Sequence, residues 1–166
     1  MNRLKLEIRN SDLIFATVIA ALFIFADFAV WCVAGSPMFV LRFISARVPV
    51  LPLWILGLCD FLCFALLGFS LGIALGNKCT SRETEKYKGA FYFVISVVLL
   101  ILHHFLFFMT ASFFAALIAI VLACAFLLAA TLSFSKVSPL PTVLSIIAFL
   151  WLAYLFSLNL LSFFWA

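Results

Sequence analysis

Charged residues are scarce in this chain: Asp, Glu, Lys and Arg make up 10% of its 166 residues, against about 25% in ordinary soluble domains. Apolar residues make up 69%, and the mean hydropathy is +1.38. So few polar side chains cannot cover a globule in water, which excludes a water-soluble domain. Disorder is excluded as well, because 22 Phe residues supply more burial than chain ordering costs. The composition predicts a small integral membrane protein in contact with the lipid bilayer.

The chain also lacks the patterns of several function classes. Its net charge of +4 lies in loops without a basic stripe, so nucleic acid is not an expected partner. No glycine-rich nucleotide loop, HExxH motif or G-x-S-x-G motif is present, and the Ser, His and Asp residues show no recognisable triad spacing. An enzyme is therefore the less favoured class, and we expect no catalytic residue and no required cofactor.

The cysteines are scattered and do not form a metal-binding pattern. They are Cys32, Cys59, Cys63, Cys79 and Cys124, and four of them lie in apolar runs, where a free thiol behaves as a small hydrophobe. Cys59 and Cys63 are four residues apart on one helical face and could bind a soft metal. A structural zinc site takes about four ligands, however, so we expect no metal.

Five apolar stretches of about 20 residues can each cross a hydrocarbon core of roughly 30 Å as an α-helix. The predicted spans are 13–33, 52–76, 88–109, 113–134 and 142–165. The fold class is therefore an all-α integral membrane protein, a five-transmembrane-helix bundle that forms one domain over residues 1–166. The opening segment is similar to a signal peptide, but its apolar run is long and Asp27 interrupts it, so we expect an uncleaved first helix. Only 109–112 separates the third and fourth spans, which predicts a tight turn.

Lys and Arg are divided unequally between the two sides of the membrane. Eight lie on one side, namely Arg3, Lys5, Arg9, Lys78, Arg82, Lys86, Lys88 and Lys136, and the other side has Arg42 and Arg47. The positive-inside rule then predicts a multi-pass protein of a cell membrane with a cytoplasmic N-terminus and an external C-terminus. The longest connector, 35–52, is external and apolar enough to fold over the bundle as a lid.

Ionisable side chains away from the membrane interfaces are costly, so each needs a reason. Asp27, Asp60, His103 and His104 are such residues. A rise of 1.5 Å per residue places them, together with Asn159, roughly 8–9 Å below the external ends of their helices. These five residues, which we name the polar layer, come from four helices and lie at one height beneath the lid. They predict a pocket with a polar floor that opens outward.

Two interpretations of the polar layer stay open. In the first, its groups bind a ligand or carry protons. In the second, Asp27 and Asp60 stay uncharged in the low-dielectric interior and hydrogen-bond a histidine or Asn159, which only holds the bundle together. Trp151 and Tyr154 lie deep enough to line a pocket.

Ridges of small residues predict close packing of helices, within the bundle or between subunits. They are Gly68, Gly72 and Gly76 on the second helix and Ala111, Ala115, Ala119 and Ala123 on the fourth.

Four segments carry a resemblance to a known family. P-L-W-I-L-G at 52–57, followed by Phe64 and by L-G at 67–68, is similar to the pattern P-x-W-x-F-G…W-x-x-L-Y-x-x-M-G. H-H-F-L-F-F at 103–108 stands in the place of W-S-x-x-F-F, and F-S-K-V-S at 134–138 is similar to F-x-[RK]-V-S. Trp151 and Asn159 match W-x7-N. In order and spacing, about two thirds of the chain resembles the TspO/MBR family, the translocator or tryptophan-rich sensory proteins.

The resemblance implies a five-helix bundle, often dimeric, that binds porphyrins and other tetrapyrroles, or sterols in some branches, in a pocket closed by the first loop. By resemblance, Trp54, Gly57, Trp151 and Asn159 line that pocket. Together with the polar layer and its neighbours, the candidate ligand-binding residues are Trp54, Gly57, Asp60, Phe64, His103, His104, Phe107, Trp151, Tyr154, Asn159 and Asp27. Haem or protoporphyrin is the expected ligand, and a homodimer is an expected assembly.

The chain also departs from the family pattern. Asp60 replaces Trp, Phe64 replaces Tyr, Leu100 replaces Asn, His103 replaces Trp and Ile147 replaces the Pro of helix five. The ionisable groups at 60 and 103 shift the expected ligand towards one with hydrogen-bond donors, or towards a metallotetrapyrrole that His ligates axially. They also weaken the case for the light-dependent porphyrin breakdown that the family ties to pocket tryptophans.

A membrane ligand-binding or sensory protein is therefore the first prediction. The alternatives are a transporter of such a ligand or a proton-coupled permease-like protein, a light-dependent porphyrin-degrading enzyme, and a structural partner of another membrane protein.

Overall fold

The computed structural model describes residues 10–33, 44–45, 50–76 and 82–165. These residues form five helices: α1 (Asn10–Val33), α2 (Leu53–Gly76), α3 (Glu83–His104), α4 (Phe113–Ser135) and α5 (Pro139–Trp165). A π-helical turn, Phe105–Met109, continues α3. All five helices are long and apolar enough to cross a membrane. The predicted all-α five-helix class is confirmed.

Three helices begin earlier than the sequence predicted, one of them being α1, which begins at Asn10 rather than at 13. α3 begins at Glu83 rather than at 88, and α5 begins at Pro139 rather than at 142. Acidic residues in the first turn of α3, Glu83 and Glu85, favour the positive end of the helix dipole. Proline in the first turn of α5 loses no helical hydrogen bond, because those N–H groups have no partner within the helix. Hydropathy marks only the part of a helix in hydrocarbon, so it missed these polar and proline-containing starts.

The helices form a ring, and neighbours in the ring are not always consecutive in the sequence. α1 packs along α2, α2 packs on α5, α5 on α4 and α4 on α3. α3 meets α2 and α1 only sparsely. The ring is therefore loosest along one seam, between the α1–α2 pair and α3.

The glycine ridge of α2 packs within the bundle. A Cβ added to Gly68 would lie 2.3 Å from Cα of Ala20, and one added to Gly72 would lie 2.3 Å from Cα of Ala16. The missing side chains let the backbones of α1 and α2 touch, which is how helices associate closely in lipid. On α4, Ala119 and Ala123 are buried. Ala111 is not on that helix, because it forms the preceding turn with a φ of 50°.

The start of α5 is tied to α2 by buried hydroxyl groups. Ser70 donates to the carbonyl oxygen of Pro141 at 2.8 Å, and its hydroxyl lies 2.8 Å from that of Ser145.

We expect Ser70→Ala to lower the free energy of unfolding by about 1 kcal/mol, because the Pro141 carbonyl loses its donor from α2. Unfolding in mixed micelles measures this, with Ser157→Ala as control, since the exposed Ser157 hydroxyl bonds only within its own helix. Equal losses in the two variants would contradict the assignment.

The predicted lid, 35–52, lies mostly outside the described residues. One of its residues, Ile44, is 3% exposed and packs in an apolar cluster with Leu56, Phe107 and Phe108. At its end, the Leu51 N–H donates to the Tyr154 hydroxyl at 3.4 Å. The described part of the connector therefore contacts the end of the bundle where α2 begins and α3 ends.

Candidate functional site

Asp60 and His104 form a buried pair between α2 and α3. His104 Nδ1 lies 2.8 Å from the Leu100 carbonyl oxygen, which can only accept, so Nδ1 carries a hydrogen. His104 Nε2 lies 3.2 Å from Asp60 Oδ2. Either the imidazolium donates to a carboxylate or a carboxylic acid donates to a neutral ring. In both cases the pair holds one proton between these two atoms.

Trp151 adds α5 to this pair. Its indole N–H donates to Asp60 Oδ1 at 2.6 Å, so both carboxyl oxygens of Asp60 have partners. The Trp151 ring stacks on Tyr154 with centroids 4.9 Å apart and planes at 23°. Because Tyr154 also accepts from Leu51, a connected chain of polar and aromatic contacts runs from Asp60 to the connector before α2.

His103 is bound to the other side of the polar layer by Asn159. The Asn159 amide nitrogen donates to the Phe113 carbonyl oxygen at 2.9 Å, and its oxygen accepts from His103 Nε2 at 3.2 Å. Because an amide oxygen can only accept, His103 Nε2 carries a hydrogen. The buried Nδ1 has no hydrogen-bond partner among the described residues. In the neutral ring this nitrogen can accept from a donor or bind a metal.

Asp27 brings α1 to the same layer. It is 1% exposed, and it interacts electrostatically with His104 and Asp60. Its Oδ2 atom has no hydrogen-bond partner in the part of the chain that the structure describes. The five residues of the polar layer are thus all buried and lie together inside the bundle; that they form the floor of a pocket stays a prediction.

Aromatic rings surround the two histidines. His103 stacks on Phe107 with centroids 5.7 Å apart, and Phe64 lies 6.0 Å from His104. Phe107 belongs to the π-helical turn that follows the histidines directly. Such turns are rare and occur often at functional sites, because one extra residue re-aims the side chains around it. Phe64 and Phe107 therefore adjoin the polar layer, where the sequence had placed them.

Two of the candidate residues, Trp54 and Gly57, have no contact with the polar layer among those described. Trp54 is 71% exposed on the outside of α2. Gly57 has open space beside it, since an added Cβ would meet nothing within 4 Å among the described residues. Leu56, between them, is the buried residue of this turn. Trp54 lies in the first turn of α2, and its direction around the helix does not bring it to Asp60.

Sequence reasoning overlooked Trp31, although a signal for it was present. Trp31 lies four residues after Asp27, so both side chains are on one face of α1. Its ring packs against Phe108 at 5.6 Å, and its buried Nε1 has no hydrogen-bond partner within the described ranges. No group of three or more His, Cys, Asp or Glu residues in those ranges is arranged to hold a metal ion.

Comparison with protein families decides the relationship that the motifs indicated. The model of the TspO/MBR family matches residues 47–165. The chain belongs to the TspO/MBR family. The match includes α2 to α5, while α1 precedes it. Comparisons with curated proteins and with solved structures found no match. This TspO/MBR protein is a multi-pass membrane protein; its orientation and its assembly as a homodimer stay predictions.

Proposed function

We propose that this TspO/MBR protein binds a flat, mostly apolar ligand of the porphyrin type in the half of the bundle that contains the polar layer, and that it acts as a membrane receptor or sensor. Three features support the proposal. The family relationship favours a ligand-binding role, the buried polar groups come from four helices, and Ile44 of the connector packs over that end of the bundle.

The unpartnered nitrogen of His103 carries the proposal. Leaving a buried acceptor without a donor costs about 1–3 kcal/mol, so such an atom in a folded protein calls for an explanation. A pyrrole N–H of a free-base tetrapyrrole can donate to Nδ1, and the metal of a metallotetrapyrrole can coordinate to it. The ring of Phe107, stacked on His103, offers an apolar face beside it.

The first test is a titration of protoporphyrin IX and haem into the purified protein in lipid nanodiscs. We expect saturable binding of both ligands at micromolar concentration. His103→Ala should weaken binding about tenfold, because it removes one hydrogen bond or axial bond. It should also abolish the Soret spectrum of histidine-ligated haem. Phe91→Ala is the matched control on the same helix, because Phe91 is 64% exposed and faces away from the bundle.

Two results would contradict the proposal: no saturable binding, or equal affinities of the wild type, His103→Ala and Phe91→Ala proteins. Trp151→Phe keeps the ring beside Tyr154 and removes only the N–H, so it should change affinity less than Trp151→Ala. Leu150→Ala, at an exposed neighbouring position, is the control for both variants.

A second candidate function is proton-coupled movement of the ligand, and the Asp60–His104 pair favours it. This pair holds one proton inside the membrane, with the carboxyl of Asp27 in electrostatic range. Uptake of protoporphyrin IX into proteoliposomes should then depend on a proton gradient in the wild type and lose that dependence in Asp60→Asn. Uptake that depends neither on the proton gradient nor on the substitution would exclude this function and leave the receptor function as the proposal.

A further inference from the structure

α1 presents two buried polar atoms that nothing in the family match accounts for, because α1 precedes residues 47–165. They are Asp27 Oδ2 and Trp31 Nε1, and neither has a hydrogen-bond partner among the residues that the structure describes. The carboxyl oxygen can accept a hydrogen bond, and the indole N–H donates one. A buried polar atom without a partner is destabilising, and two of them on one face of one helix form a pattern that packing does not explain.

The ring N–H groups of His104, Trp151 and His103 already have partners other than Asp27. His104 gives one ring nitrogen to Leu100 and the other to Asp60. The Trp151 N–H goes to Asp60, and His103 Nε2 goes to Asn159. Within the described ranges, the polar layer therefore satisfies Asp60 and Asn159 but has no donor left for Asp27. Among the described residues of the polar layer, Asp27 Oδ2 therefore has no donor.

The position of the two atoms indicates where such a group would enter. The Trp31 ring packs on Phe108 at 5.6 Å, and Phe108 packs on His104 at 5.9 Å. Phe108 is in the π-helical turn, on the seam where α1 and α3 meet only sparsely. The two unpartnered polar atoms and the Trp31–Phe108 ring contact therefore lie at the loosest helix contact of the bundle.

We propose that Asp27 and Trp31 form a subsite on α1 that binds a hydroxyl group carried by an apolar ligand. A hydroxyl group donates one hydrogen bond and accepts another. Its O–H can therefore donate to Asp27 Oδ2 while its oxygen accepts from the Trp31 Nε1–H group. Residues at i and i+4 lie on one face of a helix with Cβ atoms about 5–6 Å apart, so both side chains can face one group of a ligand. The inference rests on the proposed function, since the same half of the bundle receives the apolar body of the ligand, and it adds flat apolar alcohols to the ligands expected there.

A pair of flat probes that differ in one hydroxyl tests the subsite. The probes are 9-anthracenemethanol and 9-methylanthracene, titrated by fluorescence into nanodiscs with the full-length protein and corrected for partition into empty nanodiscs. We expect the wild type to bind the alcohol about tenfold more tightly than the methyl compound, which is the ratio that about 1.4 kcal/mol of hydrogen bonding produces.

Three variants show whether the preference comes from these two residues. Asp27→Leu should bring the ratio of the two affinities close to one, because it removes the acceptor. Trp31→Phe should lower the ratio to about threefold, because it keeps the ring on Phe108 and removes only the N–H. Asp27→Asn should keep the preference, since an amide oxygen still accepts. Phe25→Ala, at an exposed position of the same helix, is the control.

The results separate this inference from the proposed function. Equal affinity of the wild type for the two probes, no saturable binding of the alcohol, or a preference that survives in folded Asp27→Leu and Trp31→Phe would each overturn the subsite. Equal affinity would mean that a bridging water, rather than a ligand hydroxyl, satisfies the two atoms. Protoporphyrin binding is measured on the same preparations. If protoporphyrin binds while the alcohol preference is absent, only the subsite fails; if protoporphyrin does not bind, the proposed function fails.

Discussion

Asp60→Leu is expected to lower the free energy of unfolding by about 3 kcal/mol. The substitution removes the partner of His104 Nε2 and of the Trp151 N–H at once. His104 cannot turn to water, because the pair is buried inside the bundle. The loss of stability comes from leaving buried donors or a buried charge without a partner. This loss exceeds the stability that the intact pair contributes. Equilibrium unfolding in mixed micelles, followed by circular dichroism, measures it.

A double-mutant cycle shows whether the loss comes from the pair. His104→Leu alone should be destabilising, whereas the double variant, Asp60→Leu with His104→Leu, should lose much less than the sum of the single losses. Two leucines restore an apolar contact and leave only the Trp151 N–H to find an acceptor. Additive losses would contradict direct contact between the two side chains.

Gly68→Leu is expected to destabilise the bundle by a similar amount, about 3 kcal/mol. A Cβ at this position would lie 2.3 Å from Cα and 2.7 Å from N of Ala20, so backbone rather than a flexible side chain blocks it. α1 has to move away from α2. Gly57→Leu is the matched control on the same helix, since its added Cβ meets nothing within 4 Å among the described residues. It should be neutral or stabilising, because leucine favours a helix more than glycine does.

The same substitution also has a functional consequence. Asp27 is on α1, two turns beyond the contact of Ala20 with Gly68, so displacement of α1 moves Asp27 away from His104 and Asp60. Ligand affinity should therefore fall in Gly68→Leu and stay unchanged in a folded variant at a lipid-facing position, such as Phe25→Ala. If Gly68→Leu and Gly57→Leu unfold at the same denaturant concentration, the glycine ridge does not hold α1 against α2.

The number of helices and the height of each polar residue could be predicted because both follow from length. A helix rises 1.5 Å per residue, and the bilayer fixes how many apolar residues span it. Helices that alternate in direction therefore bring Asp27, Asp60 and His103 to one level. Depth and the cost of burying polar groups in lipid together predicted that these residues would meet inside the bundle.

Direction around each helix could not be predicted in the same way. In lipid, the outer face of a helix is as apolar as its inner face, so no amphipathic pattern shows which side is buried. Trp54 and Trp151 are both indole rings in family motifs, yet Trp54 faces outward and Trp151 donates to Asp60. The pairing of Asp60 with His104 depends on the same rotation, and the π-helical turn after His104 changes the local periodicity in a way that the residues F-L-F-F-M do not signal.

The central claim is that the ligand reaches the polar layer through His103, while His104 stays engaged with Asp60. Nitrogen-15 NMR of the protein in lipid bilayers, with only histidine labelled, tests it directly because the chain has two histidines. His103→Phe assigns the signals. The account predicts a neutral His103 ring whose Nδ1 signal moves on saturation with protoporphyrin IX, whereas the His104 signals move little. Saturable binding that leaves the His103 Nδ1 signal in place would contradict the account.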